Sequence, residues 1–309
     1  MSSRCILVNF HLYTGFGKEY YQPMLDFFLK QMREFQDEYD HLYLLDSNWE
    51  IDPKEIEGMK ATIIRTSPQM RYYDCYRQVI PLIKEDLVFF LDNDSVIWEE
   101  GIIKKVFDLL DFSLPVHDTA FGDESHQDVV TIIDEIGEYK TDKLKNGNKF
   151  TPYWFATRKE LLMKYLDVEW GDHMPHSETF GLLTEAMLND DVKVYEWPET
   201  KDSIYFDGHK DGEKQAHQGY YSHIRGGSSI PYLLASKNDT PEHNQQYWDY
   251  LKNQPRSEIL RHAMWFWWMT TETGNVEVGR EITEMLNDMG VSPDEWTEYF
   301  NRFQEYHGL

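Results

Sequence analysis

The sequence DLVFFLDNDSVIW, residues 86 to 98, joins an uninterrupted apolar run to two carboxylates that are one residue apart. Residues 87 to 91 are all hydrophobic, a pattern typical of a strand buried on both faces of a parallel sheet. Asp92 and Asp94 follow at the carboxyl end of this strand, where open α/β sheets bind their ligands. Their oxygens suit a hard divalent cation that holds a phosphate. The alternative interpretation is that the aspartates only cap a helix that begins near Trp98.

Strand-like and helix-like patterns alternate upstream of this stretch. Short apolar runs rich in β-branched and aromatic residues predict strands at 5–10, 41–48 and 61–66. Apolar positions at helical spacing predict helices at 20–39 and 70–84. Four strands alternating with helices indicate an α/β fold with a doubly wound, mostly parallel sheet and right-handed crossovers.

The middle of the chain is less regular. Residues 111–150 contain several Gly and Asn and predict no clear element, whereas 152–166 reads as a strand running into a helix. A short helix leading into a strand is predicted at 177–197. Residues 207–230 are rich in Gly and His with little apolar pattern, which predicts a loop or lid.

From Pro241 onward the sequence predicts only helices. Residues 264–269, MWFWWM, are consecutively apolar, so the helix that contains them is expected to be buried nearly all round. We therefore predict an α/β domain at 1–235 and a C-terminal helical region at 236–309 packed on it. The less favoured alternative for the aromatic run is a surface that binds a sugar or a second copy of the chain.

Composition narrows the kind of protein. The chain has 309 residues, 41% of them hydrophobic, and a formal net charge of −25. That charge opposes non-specific binding to nucleic acid or to an anionic membrane surface. The sequence shows no apolar stretch near the roughly 18 residues of a membrane span and no signal-peptide core at its start, so we expect an intracellular, cytoplasmic protein. Cys5 and Cys75 form no disulfide framework and are expected to be reduced packing residues.

Over roughly residues 4 to 230 the order of these signals resembles a GT-A glycosyltransferase, the nucleotide-sugar-dependent fold of the Asp-x-Asp type. The resemblance rests on HLYTG after the first strand, LLDSN with Asp46, YRQVI with Arg77, and LDNDS. It continues in SETFGLLTEAMLNDDVKVYEWPE and in YYSHIRGGSS, which carries His223 and Arg225. Where family members often have a second acid, this chain has Thr179.

The resemblance implies a donor site for a UDP or GDP sugar. Asp94 and His223 would bind Mn²⁺ or Mg²⁺, and Asp92 would bridge the ribose and the metal. Asp46 would touch the base. The phosphates would be met by two arginines, Arg77 and Arg225. Charge that develops on the leaving diphosphate is then stabilised where it appears.

The resemblance also implies a carboxylate base that deprotonates an acceptor hydroxyl with inversion at the anomeric carbon. Glu178 is the predicted base, with Asp172 as its substitute. The acceptor is unknown, and a glycan, a small molecule or a protein is favoured over nucleic acid by the acidic charge. Retention stays open because of Thr179.

Simpler readings stand beside each assignment. In these alternatives Asp46 caps a turn, Arg77 is a surface helix residue, His223 is one of twelve scattered histidines, and Glu178 is a helix N-terminal acid.

Two other functions compete with glycosyl transfer. FFLDNDSVI also resembles the signature of haloacid-dehalogenase-type phosphohydrolases, in which Asp92 would be the nucleophile and Asp94 the acid/base. That signature normally follows the first strand of its fold, whereas three predicted strands precede it here. The other alternative is a non-catalytic sugar-binding protein on a transferase fold. A dinucleotide oxidoreductase is disfavoured because TGFGKE lacks the Gly-x-Gly-x-x-Gly spacing.

Overall fold

The structure, a computed structural model, describes residues 2–12, 17–112, 126–135, 148–171, 180–197, 221–223 and 229–307. Its strands are β1 Arg4–His11, β2 His41–Ser47, β3 Ala61–Arg65, β4 Leu87–Leu91, β5 Ser95–Ile97, β6 Val129–Glu135, β7 Asn148–Arg158, β8 Val194–Glu196 and β9 Tyr221–His223. Its helices are α1 Lys18–Glu34, α2 Tyr72–Val79, α3 Ile102–Leu110, α4 Lys159–Met163, α5 Gly181–Asn189, α6 Ser229–Lys237, α7 Pro241–Asn253, α8 Arg256–Thr273, α9 Val276–Asp288 and α10 Pro293–His307. Short 3₁₀ turns lie at Pro53–Ile56 and Ile80–Leu82.

Seven of these strands form one sheet in the order β3-β2-β1-β4-β7-β6-β8. The pairs β1–β2, β2–β3, β1–β4 and β6–β8 are parallel, and of the seven described strands of this sheet only β7 runs antiparallel to its neighbours. The predicted class is therefore confirmed: an α/β fold with a mostly parallel sheet, followed by C-terminal helices.

Strand β4 lies in the middle of this sheet and is covered on both faces. All five of its residues are buried. Phe89 contacts Phe107 of α3 with ring centroids 6.1 Å apart, and Phe90 contacts Tyr76 of α2 at 4.9 Å. Because successive side chains of a strand point to opposite faces, α2 and α3 lie on opposite sides of the sheet. The sheet is doubly wound, as the apolar run predicted.

The chain forms two compact units, and the first comprises residues 1–14, 32–93 and 100–199. It contains the seven-stranded sheet. One face of that sheet carries a continuous apolar core that joins strands β1, β2, β4 and β7 to helices α2, α4 and α5. Both cysteines are buried in it as free thiols, as expected.

The second compact unit comprises residues 15–31, 94–99 and 200–309. It contains most of α1, the β5–β9 pair and helices α6 to α10. Helix α8 is buried over most of its length, which confirms the expectation drawn from its aromatic run. The boundary predicted at 235/236 stays a prediction.

No helix among the described residues combines the length and the apolar character needed to cross a membrane.

Candidate functional site

The strand order changes direction between β1 and β4. From β1 the chain moves through β2 to β3 on one side and then returns to β4 on the other side of β1. The two strands are parallel, with Val8 opposite Leu91, so their carboxyl ends meet at one edge of the sheet. Such a topological switch point is where open α/β sheets form their ligand crevice. Asp92 follows β4 at this edge.

The carboxylate of Asp92 accepts a hydrogen bond from one tyrosine of α2, and a second tyrosine of that helix contacts the first. The hydroxyl of Tyr72 donates to Oδ1 of Asp92, and the hydroxyl of Tyr76 lies 3.2 Å from that of Tyr72 and donates to it. Burial raises the pKa of Tyr72 and of Tyr76 well above the usual value, so both hydroxyls keep their protons at neutral pH. Asn9 fixes the start of the helix by donating from Nδ2 to the carbonyl of Tyr72 at 3.1 Å.

Sequence reasoning missed Tyr72. Its only signal was the spacing of Tyr72 and Tyr76, which places the two side chains on one helix face four residues apart. That spacing does not reveal that the face is directed at Asp92, because the contact joins α2 to the end of β4.

His11 ends β1 at the same edge. Its ring lies edge-on to Tyr72, with centroids 6.5 Å apart. Burial lowers the pKa of His11 to about 4, so the imidazole is neutral at physiological pH. A neutral ring adds no positive charge beside Tyr72, the residue that donates to Asp92.

Asp46, near the end of β2, is 1% exposed, and its carboxylate is bound by other groups of the protein. Its carboxylate accepts from the amides of Trp49, Glu50 and Ile51 at 2.9, 3.1 and 2.7 Å, and it forms an ion pair with Arg65. These contacts favour the alternative that Asp46 organises a turn. Its contact with a nucleotide base stays a prediction.

The guanidinium of Arg77 also makes hydrogen bonds within the protein. It donates from Nη2 to the carbonyl of Leu166 at 2.8 Å and from Nη1 to Asp74 at 2.8 Å. The guanidinium thus ties α2 to the segment after α4. These contacts favour a structural role, and the predicted phosphate contact of Arg77 stays a prediction.

Asp94 directly precedes the short strand β5, and no helix begins at that point. The side chain of Asp94 is nearly buried, at 8% exposure. Strand β5 pairs antiparallel with β9, and Ser95 lies opposite His223. The main chain of His223 is therefore beside the residue that follows Asp94, although the two are 129 positions apart in sequence (223 − 94). This pairing concerns the main chain alone, and the binding of a cation by Asp94 and His223 stays a prediction.

Several predicted residues lie outside the described part of the chain: Asp172, Glu178, Arg225 and the side chain of His223. Most of the predicted lid, 207–230, lies there too, apart from β9 and the first residues of α6. Within the described residues, no group of three or more His, Cys, Asp or Glu side chains is placed to hold a metal ion.

No protein-family model matches the chain, and no curated protein sequence matches it. Among similar solved structures, a cytidylyltransferase from Leptospira borgpetersenii serovar Hardjo-bovis is 14% identical, with a TM-score of 0.43 over 81% of this chain and 95% of that chain. A nucleotidyl transferase from a Methanothermobacter is 12% identical, with a TM-score of 0.41 over 64% of this chain and 88% of that chain.

The glycosyltransferase GlyE of Streptococcus pneumoniae TIGR4 is 12% identical, with a TM-score of 0.38. The match covers 90% of this chain and 64% of GlyE, so the chain spans less than two thirds of that protein. With identities and TM-scores this low, the likeness carries no argument about activity. The structural neighbours of the chain are thus nucleotidyl-, cytidylyl- and glycosyltransferases.

Proposed function

We propose that the protein is a metal-dependent glycosyltransferase that moves a sugar from a UDP or GDP sugar to an acceptor hydroxyl, with inversion at the anomeric carbon. One observation carries the proposal: Asp92, the first acid of the Asp-x-Asp sequence, follows the central buried strand at the topological switch point of the sheet. This is the edge at which a nucleotide-binding α/β protein holds its ligand.

The donor side of the proposed site uses four residues. Asp94 and His223 would hold the cation, and Asp92, whose carboxylate accepts a hydrogen bond from Tyr72, would bridge the ribose and the metal. When bound, Mn²⁺ or Mg²⁺ neutralises negative charge on the diphosphate. Arg225 adds a fixed positive charge for the same oxygens, since a guanidinium matches phosphate geometry.

The acceptor side uses Glu178, with Asp172 as the substitute. The base takes the proton of the acceptor hydroxyl as its oxygen attacks the anomeric carbon. The bond from that carbon to the diphosphate breaks, and its electron pair leaves with the β-phosphate oxygen. Direct displacement of this kind inverts the anomeric centre.

The activity test is a screen of UDP and GDP sugars for Mn²⁺-dependent hydrolysis and transfer, with the anomeric configuration of the product read by NMR. Glu178→Gln should lower transfer at least about a hundredfold while nucleotide binding persists. Near-normal transfer by this variant would move the role to Asp172 or end the inverting mechanism.

The same screen includes p-nitrophenyl phosphate to test the phosphohydrolase alternative. The structure places three strands of the sheet before β4 in the chain, which disfavours that alternative as the sequence did. Turnover of p-nitrophenyl phosphate that is lost in Asp92→Asn would favour it over glycosyl transfer.

A further inference from the structure

Tyr76, on α2, is fully buried, and its hydroxyl lies between two other polar groups of the protein. The main-chain amide of Asn9, in β1, donates to this hydroxyl. The hydroxyl in turn donates to that of Tyr72 at 3.2 Å, and Tyr72 donates to Oδ1 of Asp92. Three hydrogen bonds in series therefore join the main chain of β1 to the first acid of the Asp-x-Asp sequence.

Both ends of this chain of hydrogen bonds fix its direction. A main-chain amide can only donate and a carboxylate can only accept, whereas each tyrosine hydroxyl has one proton to give. Because Tyr72 gives its proton to Asp92, the bond between the two tyrosines must use the proton of Tyr76. Burial raises the pKa of both tyrosines, so neither hydroxyl loses that proton at neutral pH. Hydrogen bonds arranged in one direction also polarise and strengthen one another.

The ring of Tyr76 is held in place independently of its hydroxyl. It packs edge-on against Phe90 of β4 with centroids 4.9 Å apart, and against Phe180 at 6.1 Å. The hydroxyl thus has a fixed position relative to the strand that Asp92 follows. The chain of hydrogen bonds begins in the core at Asn9, which is 2% exposed, and ends at Asp92, which is partly exposed. Only its last member is within reach of a ligand.

We propose that Tyr76 is a positioning residue that sets the selectivity of the nucleotide site for ribose: through Tyr72 it orients the Asp92 carboxylate to accept from a ribose hydroxyl. This inference rests on the proposed function, in which Asp92 meets the ribose. A ligand that lacks the ribose hydroxyls gains nothing from an aligned carboxylate. Tyr76 therefore acts on the choice between two ligands, because a site built to hydrogen-bond a hydroxyl rejects the analogue without it.

The variant that tests the inference is Tyr76→Phe, which removes the hydroxyl and keeps the ring contacts. Tyr165→Phe is the matched control, because Tyr165 lies in the same apolar core and its hydroxyl also donates to an acid, Asp190, at 2.7 Å. Calorimetry with Mn²⁺ measures the affinity of each folded protein for UDP, for GDP and for the 2′,3′-dideoxy analogue of each. The ratio of the affinity for a nucleotide to that for its analogue is the ribose selectivity.

We expect the wild type to have a ribose selectivity of at least about tenfold, the scale of one hydrogen bond to a charged group. Tyr76→Phe should lower this ratio about threefold, and Tyr165→Phe should leave it unchanged. Because Tyr76 acts through Tyr72, adding Tyr76→Phe to Tyr72→Phe should lower the ratio no further. A loss of stability alone would weaken the binding of nucleotide and analogue equally and leave the ratio unchanged.

The outcomes separate the two proposals. An unchanged ratio in Tyr76→Phe, or a further loss of selectivity in the double variant, would overturn the role of Tyr76 and leave nucleotide binding standing. A wild type that binds a nucleotide and its dideoxy analogue equally would remove Asp92 from the ribose and overturn the inference. A wild type that binds neither UDP nor GDP would overturn the proposed function, and the role of Tyr76 with it.

Discussion

At the scale of single residues, Asp46 is a buried acid whose carboxylate has hydrogen-bond and ion-pair partners within the protein itself. Three main-chain amides and Arg65 surround its carboxylate. Removing the Asp46 carboxylate takes the acceptor away from three main-chain amides of the turn. Each hydrogen bond to a charged group contributes about 1.5–3 kcal/mol. The turn after β2 therefore depends on this side chain.

We predict that Asp46→Ala lowers the free energy of unfolding by at least about 3 kcal/mol, measured by urea titration. The control is Asp52→Ala, in which an exposed acid loses a single cap bond to the amide of Lys54, at a cost of about 1 kcal/mol. If the two variants lose equal stability, the structural role of Asp46 is wrong.

Tyr72 is a second single residue whose role can be tested. Its hydroxyl donates a hydrogen bond to Asp92, so its effect is expected on ligand binding as well as on the core. We predict that Tyr72→Phe lowers affinity for UDP or GDP with Mn²⁺ about tenfold by calorimetry, because Asp92 loses the hydrogen bond that orients it. Tyr39→Phe makes the same chemical change at a buried tyrosine whose hydroxyl donates to the carbonyl of Met32, and it should leave affinity unchanged. Equal affinities for both variants would remove Tyr72 from the site.

At the scale of elements, local sequence patterns identified most helices and strands, but they did not show which strands pair with one another. The continuous apolar run at Leu87–Leu91 identified β4 because a doubly covered strand has a local signature. The antiparallel direction of β7 has none, since it depends on which strands pair. Strand β6, with its VVTII run, was missed because Gly and Asn around it suggested an irregular segment.

In the candidate site, too, features local in sequence were predicted and contacts between distant residues were not. The acids at the end of β4 were readable, because the change from apolar to acidic residues is local. The contacts of Tyr72 with Asp92 and of Asn9 with Tyr72 were not, because each joins residues at least 20 positions apart in sequence.

The junction of α1 and α6 supplies a test at the element scale. Gly17 has a φ of +71°, and a Cβ there would lie 2.2 Å from Cβ of Ala235. We predict that Gly17→Ala costs about 3 kcal/mol in unfolding free energy, the sum of left-handed strain and overpacking. Gly58→Ala carries only the first cost, about 1–2 kcal/mol, because φ is +81° there and nothing lies within 4 Å.

A double-mutant cycle separates the steric part of the Gly17→Ala effect. Adding Ala235→Gly should relieve the clash, so the two substitutions should couple favourably by about 1–2 kcal/mol. Additive effects would show that the close approach does not constrain α1 and α6.

At the scale of the whole molecule, the second compact unit is assembled from three separate segments of the chain. Phe27 of α1 contacts Trp268 of α8 at 4.9 Å, and Trp98 stacks on the same ring. Residues far apart in sequence thus share one aromatic core with the C-terminal helices.

We predict that deleting residues 236–309 yields insoluble protein, because the deletion exposes the aromatic surface around Phe27 and Trp98. The measurement is the soluble fraction after expression, followed by nucleotide binding of any soluble product. A soluble truncation that binds nucleotide would show that 1–235 is a self-sufficient domain and that the helices serve another purpose.

The central claim is that this protein binds a nucleoside diphosphate together with a divalent cation through the acids that follow β4. Calorimetric titration of the full chain with UDP and with GDP, each with and without Mn²⁺, tests it most directly, with Asp94→Ala as the variant. The account predicts binding of one nucleotide that weakens greatly when Mn²⁺ is removed and that loses its Mn²⁺ dependence in folded Asp94→Ala. Binding of equal strength with and without the metal, or no binding of either nucleotide, would contradict it.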